Sequence, residues 1–232
     1  WKGYGKIMAL QNYTNRTGKL DSTSRTTVYT VPDEKMAIVQ TGTVMNNSGD
    51  TPTLTVEYAN SADTNFTFII TDSFTAYQNK LMLSRPTFLD EKEKINFTAS
   101  AADKFEYILS IAEVDQGVNN KYISKRVDMD STAKTTIYTV PDNRTAIIVD
   151  LSSVNYSGTN TGNNSLVLTN ASGTDFLWEF GTWVASTTYR HIARSYVLQE
   201  KEALKFTVAV ADRLNIFASF LEMERAGGSA SE

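Results

Sequence analysis

The chain has 232 residues, a net charge of −4 and no cysteine. Because no basic run is present, the phosphate attraction that drives nucleic-acid binding has no source, and because cysteine is absent, disulfides and thiolate metal sites are excluded. No apolar run reaches the roughly 18 residues of a membrane span, so we expect no membrane partner.

Residues 1–20 are predicted to form an N-terminal arm that packs along its own domain or reaches a neighbouring subunit. Gly3 and Gly5 argue against a regular helix. Trp1 and Tyr4 are candidates for contact with a neighbouring protein or a glycan. Tyr13 lies 109 residues before Tyr122, so the end of this arm could belong to the domain that follows, as the linker could belong to the second domain.

Residues 21–114 carry the signals of a first β domain. Residues 26–31 are rich in Thr, Val and Tyr, which favour strands, and Pro32 then turns the chain. Residues 53–58 alternate between apolar and polar side chains, which predicts a strand with one buried face. Short strands with frequent turn signals are typical of an antiparallel sandwich or barrel, here with seven or eight strands.

The first domain is repeated in the second half of the chain. Residues 21–33, DSTSRTTVYTVPD, return 109 residues later as residues 130–142, DSTAKTTIYTVPD, with ten of thirteen positions identical. A second pair of related segments, residues 90–113 and 199–222, keeps the same offset. Two separate segments with one offset indicate a duplicated domain of about 110 residues, too long for a solenoid repeat.

The repeat divides the rest of the chain. Residues 115–129 are predicted to be a linker, residues 130–224 a second β domain, and residues 225–232 a flexible tail of small and polar side chains. The expected fold is therefore all-β, with two tandem homologous antiparallel β-sandwich domains of the jelly-roll or immunoglobulin-like type.

No motif in the sequence predicts catalysis or a cofactor. His191 is the only histidine, and the residue at its position in the first copy is Met82. The common hydrolase, zinc, P-loop and dinucleotide motifs are absent. Asp115, Asp128 and Asp130 lie near one another in sequence without the spacing of a calcium loop, so no metal site is expected.

Aromatic side chains in the second copy are the candidates for binding. Trp178, Phe180, Trp183 and Tyr189 fall in the part where the two copies differ most. Trp178 and Phe180 share a strand face, which favours a core position for both. Trp183 and Tyr189 are predicted to contact a partner or a glycan, because aromatic rings stack on sugars and anchor protein interfaces.

The strand–turn–strand segments of both copies, TTVYTVPDEKMAIVQTGTVMNNSGDTPTLTVEY and TTIYTVPDNRTAIIVDLSSVNYSG, resemble a β-sandwich module of tailed-bacteriophage virion proteins. The later segment QEKEALKFTVAVAD also resembles such modules. The resemblance implies a non-enzymatic structural protein located in the virion, on the capsid or in the tail, collar or baseplate. Its partners would be other virion proteins and copies of itself in a homo-oligomer. The alternative is a carbohydrate-binding or adhesin module that binds a host-surface glycan.

Overall fold

The structure is a computed structural model that describes residues 11–83, 86–115, 120–191 and 195–224. These segments form eighteen β-strands. None of the described segments is a helix long and apolar enough to cross a membrane.

The described residues of the first half of the chain form nine strands, which are β1 Gln11–Leu20, β2 Thr26–Thr30, β3 Lys35–Asn46, β4 Thr53–Ala59, β5 Asn65–Ser73, β6 Asn79–Leu83, β7 Thr87–Leu89, β8 Lys94–Ala99 and β9 Phe105–Asp115. One sheet has the order β1-β9-β3-β6, with β7 also paired to β3, and the other has the order β2-β8-β4-β5. The strands therefore pair as nested antiparallel ladders, β1 with β9, β2 with β8, β3 with β6 and β7, and β4 with β5. Eight strand positions wound in this way form a jelly roll.

The second half repeats this arrangement with β10 Asn120–Asp128, β11 Thr135–Thr139, β12 Arg144–Asn155, β13 Asn163–Thr169, β14 Asp175–Thr182, β15 Thr187–Arg190, β16 Tyr196–Leu198, β17 Ala203–Thr207 and β18 Leu214–Glu224. Its sheets have the orders β10-β18-β12-β15, with β16 also paired to β12, and β11-β17-β13-β14. The prediction of an all-β fold with tandem antiparallel sandwiches is confirmed, and the topology selects the jelly roll over the immunoglobulin-like alternative.

Strand register defines which residues are equivalent in the two domains. Gln11 pairs with Val114 in the first domain, and Asn120 pairs with Met223 in the second. Equivalent residues of the outer ladders are therefore 109 positions apart in the sequence. Val56 pairs with Phe97 and Leu166 with Phe206, so the offset is 110 in β4, β5, β13 and β14. This correspondence allows each surface of one domain to be compared with the same surface of the other.

Two segments at the domain boundaries are ordered differently from the sequence-based prediction. Residues 11–20, assigned to an arm, form β1, and residues 120–128, assigned to the linker, form β10. Both segments are polar, QNYTNRTGKL and NKYISKRVD, because they lie at sheet edges and need few apolar side chains. Backbone pairing with β9 and β18 holds them in place.

Each domain has its own apolar core, and the two domains also pack against each other. Val154 and Phe217 of the second domain belong to the core cluster of the first. The Phe217 ring packs against two aromatic rings of the first domain that also contact each other, with centroids 5.6 Å from Tyr58 and 5.2 Å from Phe68. The tandem sandwiches therefore share buried apolar surface.

Polar contacts complete the contact between the domains. The Phe88 N–H donates to Ser219 Oγ at 3.1 Å, and Thr188 Oγ1 donates to the Phe68 carbonyl oxygen at 2.8 Å. The Phe88 ring also packs edge-on against Tyr122, with centroids 5.1 Å apart. Strands β5 and β7 of the first domain thus dock on β10, β12, β15 and β18 of the second.

An ion pair is buried at this junction. The Arg126 guanidinium hydrogen bonds with Glu93 Oε2 and Ser124 Oγ and donates to the Phe88 carbonyl oxygen at 2.9 Å. It also lies 4.8 Å from the centre of the Tyr58 ring. The side chains of Arg126 and Glu93 are 3% and 9% exposed, so each charge depends on the other for solvation.

A carboxyl group beside this ion pair should make stability depend on pH. Burial, and then the nearby charge of Glu93, raise the pKa of Asp90 from 3.8 to about 6. Because the folded pKa exceeds the unfolded one, the stability from protonated Asp90 is fully present below about pH 3.8 and is lost as pH rises through about 6. We expect Asp90→Asn to raise the free energy of unfolding by about 1 to 3 kcal/mol at pH 7.5 and to change it little at pH 4.

Urea unfolding of the wild type and Asp90→Asn at both pH values measures this difference. The matched control is Gln199→Asn, since Gln199 is uncharged at the position of Asp90 in the second domain. An equal effect of Asp90→Asn at pH 4 and pH 7.5 would contradict the prediction.

Candidate functional site

The structure tests two of the four aromatic residues that the sequence predicted to contact partners, Trp183 and Tyr189. Trp1 and Tyr4 lie outside the described residues. Trp183 is only 2% exposed, so the prediction that it forms an open platform is wrong. Its ring packs against Tyr189 and Phe206 in the core of the second domain, with centroids 5.7 Å and 5.6 Å away.

Tyr189 is a partly buried part of the same cluster. Its side chain packs against the core, and its hydroxyl accepts a hydrogen bond from the Val184 N–H. The Trp183 carbonyl oxygen accepts from the Thr161 N–H at 3.0 Å and from Asn155 Nδ2 at 3.1 Å. These bonds connect the loop after β14 to the sandwich and direct Trp183 into the core. The position of Trp183 soon after Gly181 in the sequence did not indicate this.

His191 lies in a hydrogen-bonded chain of three side chains. Its Nε2 accepts from Ser153 Oγ at 2.7 Å, and its Nδ1 donates to Glu179 Oε2 at 2.6 Å. Burial lowers the pKa of His191, against the opposing effect of Glu179. A neutral imidazole with this tautomer is the arrangement found in serine hydrolases.

The surroundings of this chain favour a role in packing. Ser153 and the His191 side chain are both 0% exposed. Ser153 lies near the end of β12 and pairs with Ile216 on one side and Tyr189 on the other, so its backbone belongs to two ladders. An accessible nucleophile with free backbone donors is what acyl transfer requires. We therefore interpret Ser153 and His191 as buried polar groups whose hydrogen bonds are satisfied by each other and by the partly exposed Glu179.

The first domain shows what the polar chain replaces. The positions of Ser153, His191 and Glu179 are occupied there by Val44, Met82 and Ile69, which are apolar. Three apolar side chains have thus been exchanged together for three that hydrogen bond to one another. Within the part of the chain that the structure describes, no group of three His, Asp or Glu side chains could hold a metal ion.

A polar groove of about 890 Å³ follows the junction between the domains, and its lining includes Asp72 and Arg190. Asp72 is already paired with Lys80, whose Nζ lies 2.7 Å from its carboxylate. No convergent set of ionisable groups is therefore left for chemistry among its described lining residues.

The second domain exposes an apolar surface at the edge formed by β14 and β16, which we call the β14–β16 face. It surrounds a groove of about 340 Å³ lined by Leu168, Phe176, Leu177, Trp178, Tyr196, Val197 and Leu198. Trp178 and Tyr196 pack edge-on, with ring centroids 4.7 Å apart. Contiguous exposed apolar surface of this kind is typical of an interaction site.

The same surface of the first domain is covered. Phe66 and Phe88 are 6% and 3% exposed, whereas Phe176 and Val197 at the same positions of the second domain are 54% and 56% exposed. In the first domain, this edge lies against the second domain. The β14–β16 face is therefore the uncovered counterpart of an edge that already binds protein.

The sequence contains a signal for this face that the alternation rule missed. Phe176, Leu177 and Trp178 are consecutive apolar residues in a strand, so at least one of them has to point away from its own core. The first domain has Thr67 between two Phe residues, which is ordinary alternation. Leu177 in place of Thr67 marks the added apolar surface.

No known protein-family model and no curated protein sequence matches this chain. Solved structures with a similar fold do exist. The atomic structure of Sulfolobus Turreted Icosahedral Virus contains a chain that matches 97% of this chain at 11% identity and a TM-score of 0.31. This chain covers 62% of that protein's length.

Two further structures match over most of their length. The major capsid protein P2 of bacteriophage PM2 matches 94% of this chain and is itself covered completely, at 9% identity and a TM-score of 0.32. The tandem CBM22-1–CBM22-2 domains of Xyn10C from Paenibacillus barcinonensis match 96% of this chain and are covered to 92%, at 10% identity and a TM-score of 0.25. These scores are too low for the function of any of the three to transfer to this chain.

Proposed function

We propose that this chain is a non-enzymatic structural component of a phage virion that assembles by protein–protein contact on the capsid or the tail. The observation that carries the proposal is the β14–β16 face, where Phe176, Leu177, Tyr196 and Val197 are exposed together. Exposed apolar surface is costly in water and is stabilised when a partner covers it.

Three further observations support this role. Both domains resemble virion modules in sequence, and both are jelly rolls. Ser153 and the His191 side chain are enclosed, so the described residues present no accessible nucleophile there. Binding through a large surface, repeated over many copies in a particle, produces avidity without a reactive residue.

The experiment is to detect the chain in purified particles of the phage that encodes it. We expect the chain to sediment with the particles, and Leu177→Glu to reduce its incorporation at least about tenfold, because an unpaired carboxylate is then buried at the contact. The matched control is Thr139→Glu, an exposed strand position away from the β14–β16 face. Absence of the chain from particles, with abundant free chain in the lysate, would contradict the proposal.

Carbohydrate binding is the second candidate, and the partly exposed Trp178 beside Tyr196 favours it. Aromatic rings at a groove can stack on sugars. The two rings meet edge-on instead of forming one flat platform, which makes this surface better suited to protein. Glycan-array binding by the wild type that Trp178→Ala abolishes would support this alternative against the structural role.

A further inference from the structure

The two domains use unlike surfaces to bind each other. The first domain contributes its β5–β7 edge, with Phe68 and Phe88, and the second contributes the outer surface of β10 and β18, with Tyr122, Phe217 and Ser219. A contact between two different surfaces of homologous units can be repeated head to tail. Each domain therefore has one surface engaged and one surface left over.

The surface left over in the second domain is the β14–β16 face. Register places Trp178 at the position of Phe68 and Val197 at the position of Phe88. Phe68 and Trp178 also share a backbone irregularity. The register shifts at Phe68 in the pairing of β4 with β5, and it shifts at Trp178 in the pairing of β13 with β14. The backbone that presents these side chains is therefore the same in the two domains.

The surface left over in the first domain is the part of the outer side of β1 and β9 around Tyr13, Ile108 and Ser110, which we call the β1–β9 face. Ala112 and Val114, farther along β9, are already buried with Phe88 and Tyr122 at the junction between the domains. Tyr13, Ile108 and Ser110 occupy the positions of Tyr122, Phe217 and Ser219. Tyr13 and Ile108 are 71% and 54% exposed, and Met45 and Leu81 on neighbouring strands are exposed as well. A groove of about 520 Å³ crosses this face and is lined by Ile108, Met45 and Asn79 among others.

We propose that copies of this chain associate head to tail, with the β14–β16 face of one copy docked on the β1–β9 face of the next in the geometry of the contact within the chain. This proposal rests on the assembly role proposed above and names the partner as a second copy. Trp178 would lie on Ile108 as Phe68 lies on Phe217, and Val197 would lie on Tyr13 as Phe88 lies on Tyr122.

The polar contacts of the junction have counterparts as well. Ser110 is identical to Ser219 and would accept from the Val197 N–H, as Ser219 accepts from Phe88. Asn79 is at the position of Thr188 and would donate to the Trp178 carbonyl oxygen, as Thr188 donates to Phe68. Both hydrogen bonds can therefore form with the residues present.

The contact between the two domains of one chain contains an ion pair that the proposed contact between copies would lack. Thr17 takes the position of Arg126, so Glu202, at the position of Glu93, would have no guanidinium partner. The contact between copies also lacks the high effective concentration that the short connection gives the two domains of one chain. Association between copies should thus be reversible and should grow with protein concentration.

The test is sedimentation velocity of the full chain from about 1 μM to about 1 mM. We expect the mass to rise with concentration, and Val197→Glu and Ile108→Glu each to weaken association at least about a hundredfold, because each buries an unpaired carboxylate. Thr139→Glu, exposed and away from both faces, is the control that should associate like the wild type.

Mixing the two variants distinguishes head-to-tail contact from a symmetric one. Val197→Glu keeps an intact β1–β9 face and Ile108→Glu keeps an intact β14–β16 face, so an equimolar mixture should form dimers and nothing larger. A wild type that stays monomeric, a mixture that stays monomeric, or a loss of association in one variant only would each overturn the proposal. If the purified chain stays monomeric in solution but is incorporated into particles, the head-to-tail contact is overturned. The proposed role in the virion is then unaffected.

Discussion

Phe217→Ala is expected to lower the free energy of unfolding by about 3 to 5 kcal/mol, the usual cost of removing a buried Phe ring. Phe217 is 3% exposed and packs against both Tyr58 and Phe68 at the junction of the domains. Its loss removes packing that belongs to neither domain alone, so the two domains should also become less coupled.

Two spectroscopic signals separate these effects. Trp178 and Trp183 lie in the second domain, so tryptophan fluorescence measured in a Trp1→Phe background reports on that domain, whereas far-ultraviolet circular dichroism reports on both. In urea, we expect the two transitions to coincide in the wild type and to separate in Phe217→Ala.

The matched control for this prediction is Ile108→Ala. Ile108 has the position of Phe217 in the first domain but is 54% exposed. At concentrations where the chain is monomeric, its truncation should change the free energy of unfolding by less than about 0.5 kcal/mol. Equal effects of the two substitutions would show that the junction is not packed as described.

Arg126→Leu is expected to cost about 3 to 5 kcal/mol of stability, because Glu93 is then left as a buried charge without its partner. Glu93 Oε2 also accepts from the Asp90 N–H at 2.8 Å, so the carboxylate cannot turn to solvent without breaking a second bond. The Phe88 carbonyl oxygen loses its donor at the same time.

A double-mutant cycle with Glu93→Gln measures the coupling in this pair. We expect the double variant to be more stable than Arg126→Leu alone, since no uncompensated charge then remains. Glu202→Gln is the control in the second domain, where Glu202 accepts from the Gln199 N–H at 2.8 Å and should cost less than about 1 kcal/mol. Purely additive effects of Arg126→Leu and Glu93→Gln would contradict a direct ion pair.

Local sequence patterns predicted the architecture well in strands whose side chains alternate between a buried and an exposed face. The residues of β4 alternate, with Leu54, Val56 and Tyr58 fully buried, and the 109-residue repeat predicted two units of one fold. In β1 and β10 the side-chain pattern alone predicted an arm and a linker, because an edge strand is held by its backbone ladder and its side chains resemble those of a loop. The 109-residue offset between Tyr13 and Tyr122 had left open that both segments belong to the domains, as they do.

The candidate site was less predictable because it depends on contacts between the domains. Phe66 and Phe176 are the same residue type at the same position, yet one is buried and the other exposed. The strands differ locally at Thr67 and Leu177, and the burial of the two Phe residues differs because β10, β12, β15 and β18 of the second domain lie against one edge and leave the other open. Trp183 was predicted to be exposed and is buried. Hydrogen bonds from Asn155 and Thr161, which are distant in sequence, hold it in the core.

The nested strand pairing has a consequence for how the polypeptide reaches this fold. In the first domain Gln11 pairs with Val114, and in the second Asn120 pairs with Met223, so the outermost ladder of each domain joins its two ends. Such long-range closure makes folding slow, on the order of milliseconds to seconds. During synthesis, β1 has to wait until β9 has left the ribosome, and its unpaired backbone is open to wrong partners until then.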